Sequence, residues 1–239
     1  MSFPENGRPA REPFLNAPAV VLWLIGIILL AHFTRVVLPG DWPDRLIFDY
    51  ALIPARFAEG LEAGWPPGGL FALLITLLTY IFLHGDITHV VVNSLWLLAF
   101  GPIVARRLGL TRFLAYFFLC GLAAALLHLA VYWGSPAAVV GASGSVSGLM
   151  GGAMRIVYGR LHGEGEGRDA LATIFSKPIL AFTAIWMVAN AVSGIFRIGV
   201  SDDLTLVAWV AHLGGYFAGL LTLGMFDPFS VARGRPHSA

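Results

Sequence analysis

The chain has 239 residues, of which 57% are hydrophobic and only 12% are charged. Soluble domains carry about 25% charged residues, so this composition excludes an ordinary soluble fold and predicts an integral membrane protein. The net charge of +1 gives no electrostatic basis for binding nucleic acid. The single cysteine, Cys120, excludes an internal disulfide and disfavours a metal cluster. No nucleic-acid partner, metal or cofactor is therefore expected.

The hydropathy pattern predicts an all-α membrane protein with six spans. Residues 1–17 are polar and are expected to form a cytoplasmic tail. A bilayer core of about 30 Å requires roughly 20 helical residues, and five apolar segments approach that length: about 18–38, 88–105, 112–133, 178–199 and 206–226. A sixth, about 143–158, is short and glycine-rich, as in a central helix shielded by its neighbours. The membrane domain is predicted at 18–226, and a cytoplasmic tail at 227–239.

The long connection at about 39–87, between the first two spans, leaves a choice between six and seven spans. It ends in an apolar stretch from Leu70 to Leu83 that is short for a span. Lys and Arg concentrate on the cytoplasmic side of membrane proteins. With six spans and a cytoplasmic N-terminus, the cations on the inside are Arg8, Arg11, Arg106, Arg107, Arg112, Arg155, Arg160, Arg168, Lys177, Arg233 and Arg235, and those outside are Arg35, Arg45, Arg56 and Arg197. A seventh span would set Arg8 and Arg11 opposite the later clusters. Six spans and a loop partly sunk into the bilayer are therefore favoured.

Strongly polar residues inside membrane helices are costly and are candidates for function by default. Those in or at the predicted spans are Ser143, Ser145, Ser147, His89, Asn93, His128, Asn190 and His212. No Asp or Glu lies inside a predicted span, which argues against a carboxylate proton relay. His128 and Asn190 are predicted to hydrogen-bond between helices. Ser145 and Ser147 are predicted to pack as small residues.

Ser143 opens the short glycine-rich span in the sequence GASGS. Gly141 and Gly144 permit a tight turn and the close approach of a peptide backbone. A helix N-terminus also presents unpaired N–H groups, which suit a developing oxyanion. Taken alone, this string is better explained by a serine that caps the helix.

His212 stands in AHLGGYFAG near the outer end of the last predicted span. Gly215 and Gly219 share its helical face and allow a neighbouring helix to approach closely. At the start of the second span, His89 and Asn93 share a face at i, i+4 spacing, and an amide donor there could help to hold an oxyanion. The alternatives are a structural histidine between helices and solvated groups at the interface.

The predicted topology places these polar residues at a similar depth. Ser143, His212, His89 and Asn93 each lie early in a span that runs from outside to inside. Independent structural residues have no reason to share a depth. Together the four residues predict a serine–histidine site that water reaches from the outer side.

Three motifs occur in order in the predicted spans: His89-x-x-x-Asn93, Gly141-Ala142-Ser143-Gly144 and Ala211-His212-x-x-Gly215-x-x-x-Gly219. They resemble the rhomboid family of intramembrane serine proteases, as do FLHGD before His89 and FGPIVARRLG after it. The resemblance covers roughly 45–226. It implies a Ser143–His212 dyad without a catalytic acid, and an oxyanion stabilised by His89, Asn93 and the Ser143 N–H.

The resemblance also implies transmembrane proteins as substrates, and the fifth span, about 178–199, as a lateral gate for their entry. A multi-pass protein of a bacterial cytoplasmic membrane, with both termini cytoplasmic, is expected. The alternative is a weak or inactive rhomboid-like protein that binds transmembrane helices without cutting them. A transporter is disfavoured because the spans lack an internal repeat and acidic residues.

Three positions depart from the family pattern. Ser147 stands where the family commonly has an aromatic residue that stacks on the catalytic histidine. Ala105 stands in place of a frequent acidic residue, and Trp42 and Trp65 are each followed by proline rather than arginine. The motifs therefore leave open which group orients the His212 ring.

Overall fold

A computed structural model of the protein describes residues 17–65, 68–162, 170–195 and 209–229. Within these ranges the chain is all-helical and has no β-strand; its elements are α1 Ala19–Val37, α2 Trp42–Tyr50, α3 Pro54–Ala63, α4 Gly69–Thr79, a 3₁₀ turn Tyr80–Phe82, α5 Ile87–Leu108, α6 Leu110–Val131, α7 Ser143–His162, α8 Lys177–Ile195 and α9 Trp209–Phe226. Several predictions lie wholly or mostly outside the described residues: the two tails, the ends of two spans at 196–199 and 206–208, and the cations Arg8, Arg11, Arg168, Arg197, Arg233 and Arg235.

Four of the described helices, α1, α5, α6 and α9, are long and apolar enough to cross a membrane. Their positions match four of the predicted spans. Large apolar side chains such as Trp23, Ile185 and Met225 are 72–80% exposed, which is unusual for a soluble protein and normal for a surface in contact with lipid. The chain is therefore a polytopic integral membrane protein. Helices α7 and α8 match the other two predicted segments but do not reach the same combination of length and hydropathy.

The connection between α1 and α5 folds into short helices. The apolar stretch predicted not to span forms α4 and the 3₁₀ turn, which are short for a crossing. Leu52 and Val139 exchange backbone hydrogen bonds of 2.8 and 3.1 Å, and the Gly141 N–H donates to Tyr80 O at 2.9 Å. These bonds fix the connection onto the segment that leads into α7.

The glycine-rich helix α7 is the centre of the bundle. It packs against α5, α6 and α9, and residues 144–153 are all buried. A helix enclosed by protein does not need apolar side chains facing lipid, which explains why α7 is rich in glycine and serine.

Helices α7 and α9 meet backbone to backbone at two pairs of glycines. A Cβ on Gly215 would collide with the Gly144 carbonyl, and a Cβ on Gly219 would lie 2.6 Å from Gly148 Cα. Both pairs advance by four residues along both helices, so α7 and α9 run in the same direction. The Tyr116 hydroxyl of α6 stabilises this crossing, since it donates to Gly219 O at 2.7 Å and lies 3.2 Å from Gly148 O.

A buried ion pair joins the C-terminal ends of α5 and α9. Arg107 donates through Nε and Nη2 to the two oxygens of Asp227, at 2.9 and 2.8 Å. Both side chains are almost fully buried, at 1% and 2% exposed. At the other end of α5, His89 and Asn93 lie against Gly141, just before α7. Helix α5 therefore runs in the same direction as α7 and α9, and the N-terminal ends of all three helices lie at the same end of the bundle.

The glycine crossing makes a prediction for stability. Gly219→Ala forces apart the backbones of α7 and α9, so we expect about 1–3 kcal/mol of destabilisation, as for overpacked cores. Thermal unfolding in detergent should show a Tm lower by roughly 2–10 °C. Gly224→Ala on the same helix is the matched control, because a Cβ there meets no described atom within 4 Å. Equal Tm values for the two variants would contradict the close crossing.

Candidate active site

Ser143 is the first residue of α7, and a tight turn brings the chain to it. Gly141 has φ +117°, a conformation that side-chain-bearing residues rarely adopt. Space is also restricted there, because a Cβ on Gly141 would lie 2.7 Å from His89 Nε2 and 3.7 Å from Asn93 Nδ2. Glycine at 141 therefore lets the chain pass against both polar side chains of α5.

His212 lies in the first turn of α9, half-buried, and its ring meets Ser143. The distance from His212 Nε2 to Ser143 Oγ is 2.8 Å, a full hydrogen bond. The contact follows from the parallel crossing, since Ser143 precedes Gly144 by one residue and His212 precedes Gly215 by three. Where the two backbones touch, side chains just before the touching glycines are brought together.

His89 and Asn93 lie on α5 beside Gly141. The Gly85 N–H points to His89 Nδ1 at 3.4 Å, so a neutral His89 carries its proton on Nε2, the atom that faces Gly141. Asn93 is buried and donates through Nδ2 to His89 O at 3.0 Å. An amide group has two N–H donors, so one of them is left for another acceptor near the turn.

The start of α5 is held by polar contacts. Asp86 caps the helix by accepting from the His89 N–H at 2.8 Å. Arg35 of α1 donates to His84 O and Gly85 O, both at 2.8 Å.

Burial, followed by the nearby His89 ring, lowers the pKa of His84 to about 3. His84 is therefore neutral, and its Nε2 accepts from the Ala142 N–H at 3.4 Å. These contacts join the starts of α5 and α7.

Asn190 of α8 belongs to none of the three motifs, and yet it contacts His212. Its Oδ1 lies 2.8 Å from His212 Nδ1, and its Nδ2 donates to Trp209 O at 2.9 Å. Asn190 thus forms a hydrogen bond between helices, as predicted, and its partner is His212, a residue of the candidate site. The sequence signal was a lone amide in an apolar helix; spacing does not show which helix that amide faces.

The remaining polar residues do not join this cluster. Ser145 and Ser147 are buried in α7, and His128 is buried in α6 beside the Tyr132 ring. The His128 ring nitrogens have no hydrogen-bond partner among the described residues, so its predicted interhelical bond is not formed there. None of the ring contacts in the described ranges involves His212.

The contact between Ser143 and His212 has the geometry of a nucleophile and its general base. A serine hydroxyl is hydrogen-bonded to an imidazole nitrogen that can accept its proton. His89 Nε2 and Asn93 Nδ2 lie beside Gly141, two residues before the N-terminus of α7, and N–H donors so placed can stabilise an oxyanion. Within the described residues no group of three metal-ligating side chains is assembled.

Comparison with known proteins agrees with the motifs. The Rhomboid domain family model matches residues 72–227, well over half of the chain. RHOMBOID-like protein 4 of Arabidopsis thaliana is 27% identical over 145 residues, which cover 61% of this chain. The match spans 32% of that relative's length.

The N-cap of α5 makes a testable prediction. Asp86→Ala removes the oxygen that accepts the His89 N–H, and loss of such a cap costs about 0.5–2 kcal/mol. We expect a lower Tm in detergent. Asp86→Asn keeps an oxygen acceptor and should retain most of the wild-type Tm. If the two variants unfold at the same temperature, the side chain of Asp86 does not act as a cap.

Proposed function

The chain belongs to the rhomboid family, and from that membership we propose that it is an intramembrane serine endopeptidase that cleaves transmembrane segments of membrane proteins. The observation that carries the proposal is the 2.8 Å contact between Ser143 Oγ and His212 Nε2. Nucleophile and base are already in hydrogen-bond contact, as general-base activation of a serine requires.

In the first half of the proposed reaction, Ser143 Oγ attacks the carbonyl carbon of the scissile peptide bond as His212 Nε2 accepts its proton. The carbonyl oxygen becomes an oxyanion beside the N-terminus of α7. Three donors support it there: the Ser143 N–H, His89 Nε2–H and the second Asn93 N–H. The imidazolium then protonates the leaving amine, the C–N bond breaks, and an acyl ester remains on Ser143.

In the second half, water attacks the ester while His212 accepts one of its protons. The same donors hold the second oxyanion. Collapse of this intermediate releases the new carboxyl terminus, and the proton returns to Ser143. We expect water to enter at this end of the bundle, where Gly85, next to the cluster, is exposed.

We also propose six membrane spans. Because α7 and α9 run parallel, the chain between them must return to the first side of the membrane. Helix α8 has 19 residues and α7 has 20, which correspond to about 28–30 Å at 1.5 Å per residue. Both therefore have the length of a crossing. The segment 39–87 is then the partly embedded loop, 18–226 the membrane domain, and 1–17 and 227–239 the tails.

The proposed location is a bacterial cytoplasmic membrane with both termini in the cytoplasm. In that orientation the cluster at the start of α5, α7 and α9 lies toward the outer side. Substrates are proposed to be transmembrane segments with helix-weakening residues, because a peptide bond in a lipid-embedded helix must unwind before attack. Entry past α8 is proposed on the family's pattern.

The dyad can be tested with a fluorophosphonate probe on purified protein. We expect wild-type protein to be labelled at Ser143, and both Ser143→Ala and His212→Ala to lose labelling, because the first lacks the nucleophile and the second its base. Cleavage of a model transmembrane substrate should be lost in parallel. Mass spectrometry of the labelled peptide identifies the modified residue.

Two results would count against the proposal. Labelling that persists in Ser143→Ala would remove Ser143 as the nucleophile. Folded wild-type protein that is neither labelled nor able to cleave any model transmembrane substrate would favour the alternative, a rhomboid-like protein that binds transmembrane helices without cutting them.

The oxyanion role of Asn93 makes a separate prediction. Asn93→Ala removes one donor, so kcat should fall by about 10-fold or more with a smaller change in KM. Ser94→Ala is the matched control, because Ser94 Oγ donates to Val90 O within the same helix and is not part of the cluster. Unchanged kcat in Asn93→Ala would make Asn93 a structural residue.

A further inference from the structure

The ring of His212 is held from both sides. Its Nε2 faces Ser143 Oγ and its Nδ1 faces Asn190 Oδ1, each at 2.8 Å. Asn190 is 8% exposed and lies on α8, a different helix from either member of the proposed dyad. Three helices therefore meet at one imidazole.

The orientation of the Asn190 amide is fixed by a third group. Trp209 O lies 2.9 Å from Asn190 Nδ2, and a carbonyl oxygen can only accept. The NH₂ group must therefore face Trp209, which turns Oδ1 toward His212. Because Oδ1 is also only an acceptor, His212 Nδ1 must carry a hydrogen.

This arrangement of donors and acceptors determines the tautomer of His212. A neutral imidazole has one N–H and one lone pair. With the hydrogen on Nδ1, the lone pair of Nε2 points at Ser143 Oγ, which is the state that accepts the serine proton. In the opposite tautomer Nε2 would carry the hydrogen and could not act as a base toward Ser143.

From this geometry we propose that Asn190 is a positioning residue that fixes the tautomer and the ring plane of His212 for proton transfer. The proposal rests on the proposed protease function. Asn190 would then orient the His212 ring in a chain that has Ser147 in place of the family's aromatic residue. An interhelical hydrogen bond from α8 fills that role.

The amide also suits its surroundings. A carboxylate that orients a histidine, as in soluble serine proteases, would be a buried charge in a membrane protein, and buried charges carry a large desolvation penalty. Asn190 offers the same acceptor geometry without net charge. When His212 takes the serine proton, the amide dipole remains aligned with the Nδ1–H.

The test compares two variants that each remove side-chain hydrogen bonds between α8 and α9. Asn190→Leu removes the bonds to His212 and to Trp209 O and keeps a side chain that branches at the same carbon. Thr183→Val removes a separate side-chain bond between these helices, Thr183 Oγ1 to Tyr216 OH at 2.7 Å, away from the cluster. We expect Asn190→Leu to lower kcat by at least about 10-fold with KM nearly unchanged. Thr183→Val should change kcat by less than about 3-fold, the size of an average interhelical bond in membranes.

A second readout does not depend on activity. NMR of protein labelled with ¹⁵N-histidine, in a Ser143→Ala background, reports which ring nitrogen of His212 carries the hydrogen. We expect Nδ1–H when Asn190 is present and a substantial Nε2–H population in Asn190→Leu. If the leucine variant does not fold, Asn190→Ser, whose hydroxyl cannot reach the ring, replaces it in both measurements.

The outcomes separate the two proposals. An unchanged tautomer or unchanged kcat in Asn190→Leu would overturn the positioning role, and so would an equal loss in Thr183→Val, since that would reflect helix packing alone. Failure of wild-type protein to label or to cleave would instead overturn the protease function. In that case the NMR result still shows whether Asn190 sets the His212 tautomer.

Discussion

The contact between the backbones of α7 and α9 is the constraint on which the rest of the site depends. Two glycine pairs, Gly144 with Gly215 and Gly148 with Gly219, allow this approach, and any side chain there would separate the helices. In lipid no hydrophobic force pulls helices together, so close van der Waals packing supplies much of their association. The same contact fixes the distance between the residues that precede the glycines, Ser143 and His212.

A second constraint brings α5 to the same point. Gly141 passes against the side chains of α5 in a backbone conformation that favours glycine. The polar connection before α5 is tied to α1 through Arg35 and to the start of α7 through His84. The first turn of α5 therefore has little freedom to move relative to Ser143. A preorganised set of donors needs this rigidity, because stabilisation of an oxyanion depends on donors that are already in place.

Much of this arrangement could be predicted from sequence because membrane topology is a strong constraint. Alternating span direction decides which residues share a depth, so the amino-acid sequence alone suffices to group Ser143, His212 and His89. Helix faces are harder to predict. Hydropathy identifies α8 as a helix but does not define its rotation, and it gives no sign that Asn190 faces His212. The pairing of Arg107 with Asp227 was also missed, since ion pairs 120 residues apart leave no local pattern.

The absence of acidic residues from the predicted spans bears on how such a site keeps its histidine oriented. A soluble enzyme can place a carboxylate behind the base because water and backbone N–H groups offset its charge. Within a bundle surrounded by lipid, that compensation is scarce, and a neutral acceptor is the less costly solution. An amide has a weakness that a carboxylate lacks, because it can flip and present a donor. Trp209 O prevents this flip because it accepts a hydrogen bond from the NH₂ group of Asn190. Asn190 Oδ1 therefore stays directed at His212. The chain thus obtains a defined tautomer from two neutral hydrogen bonds.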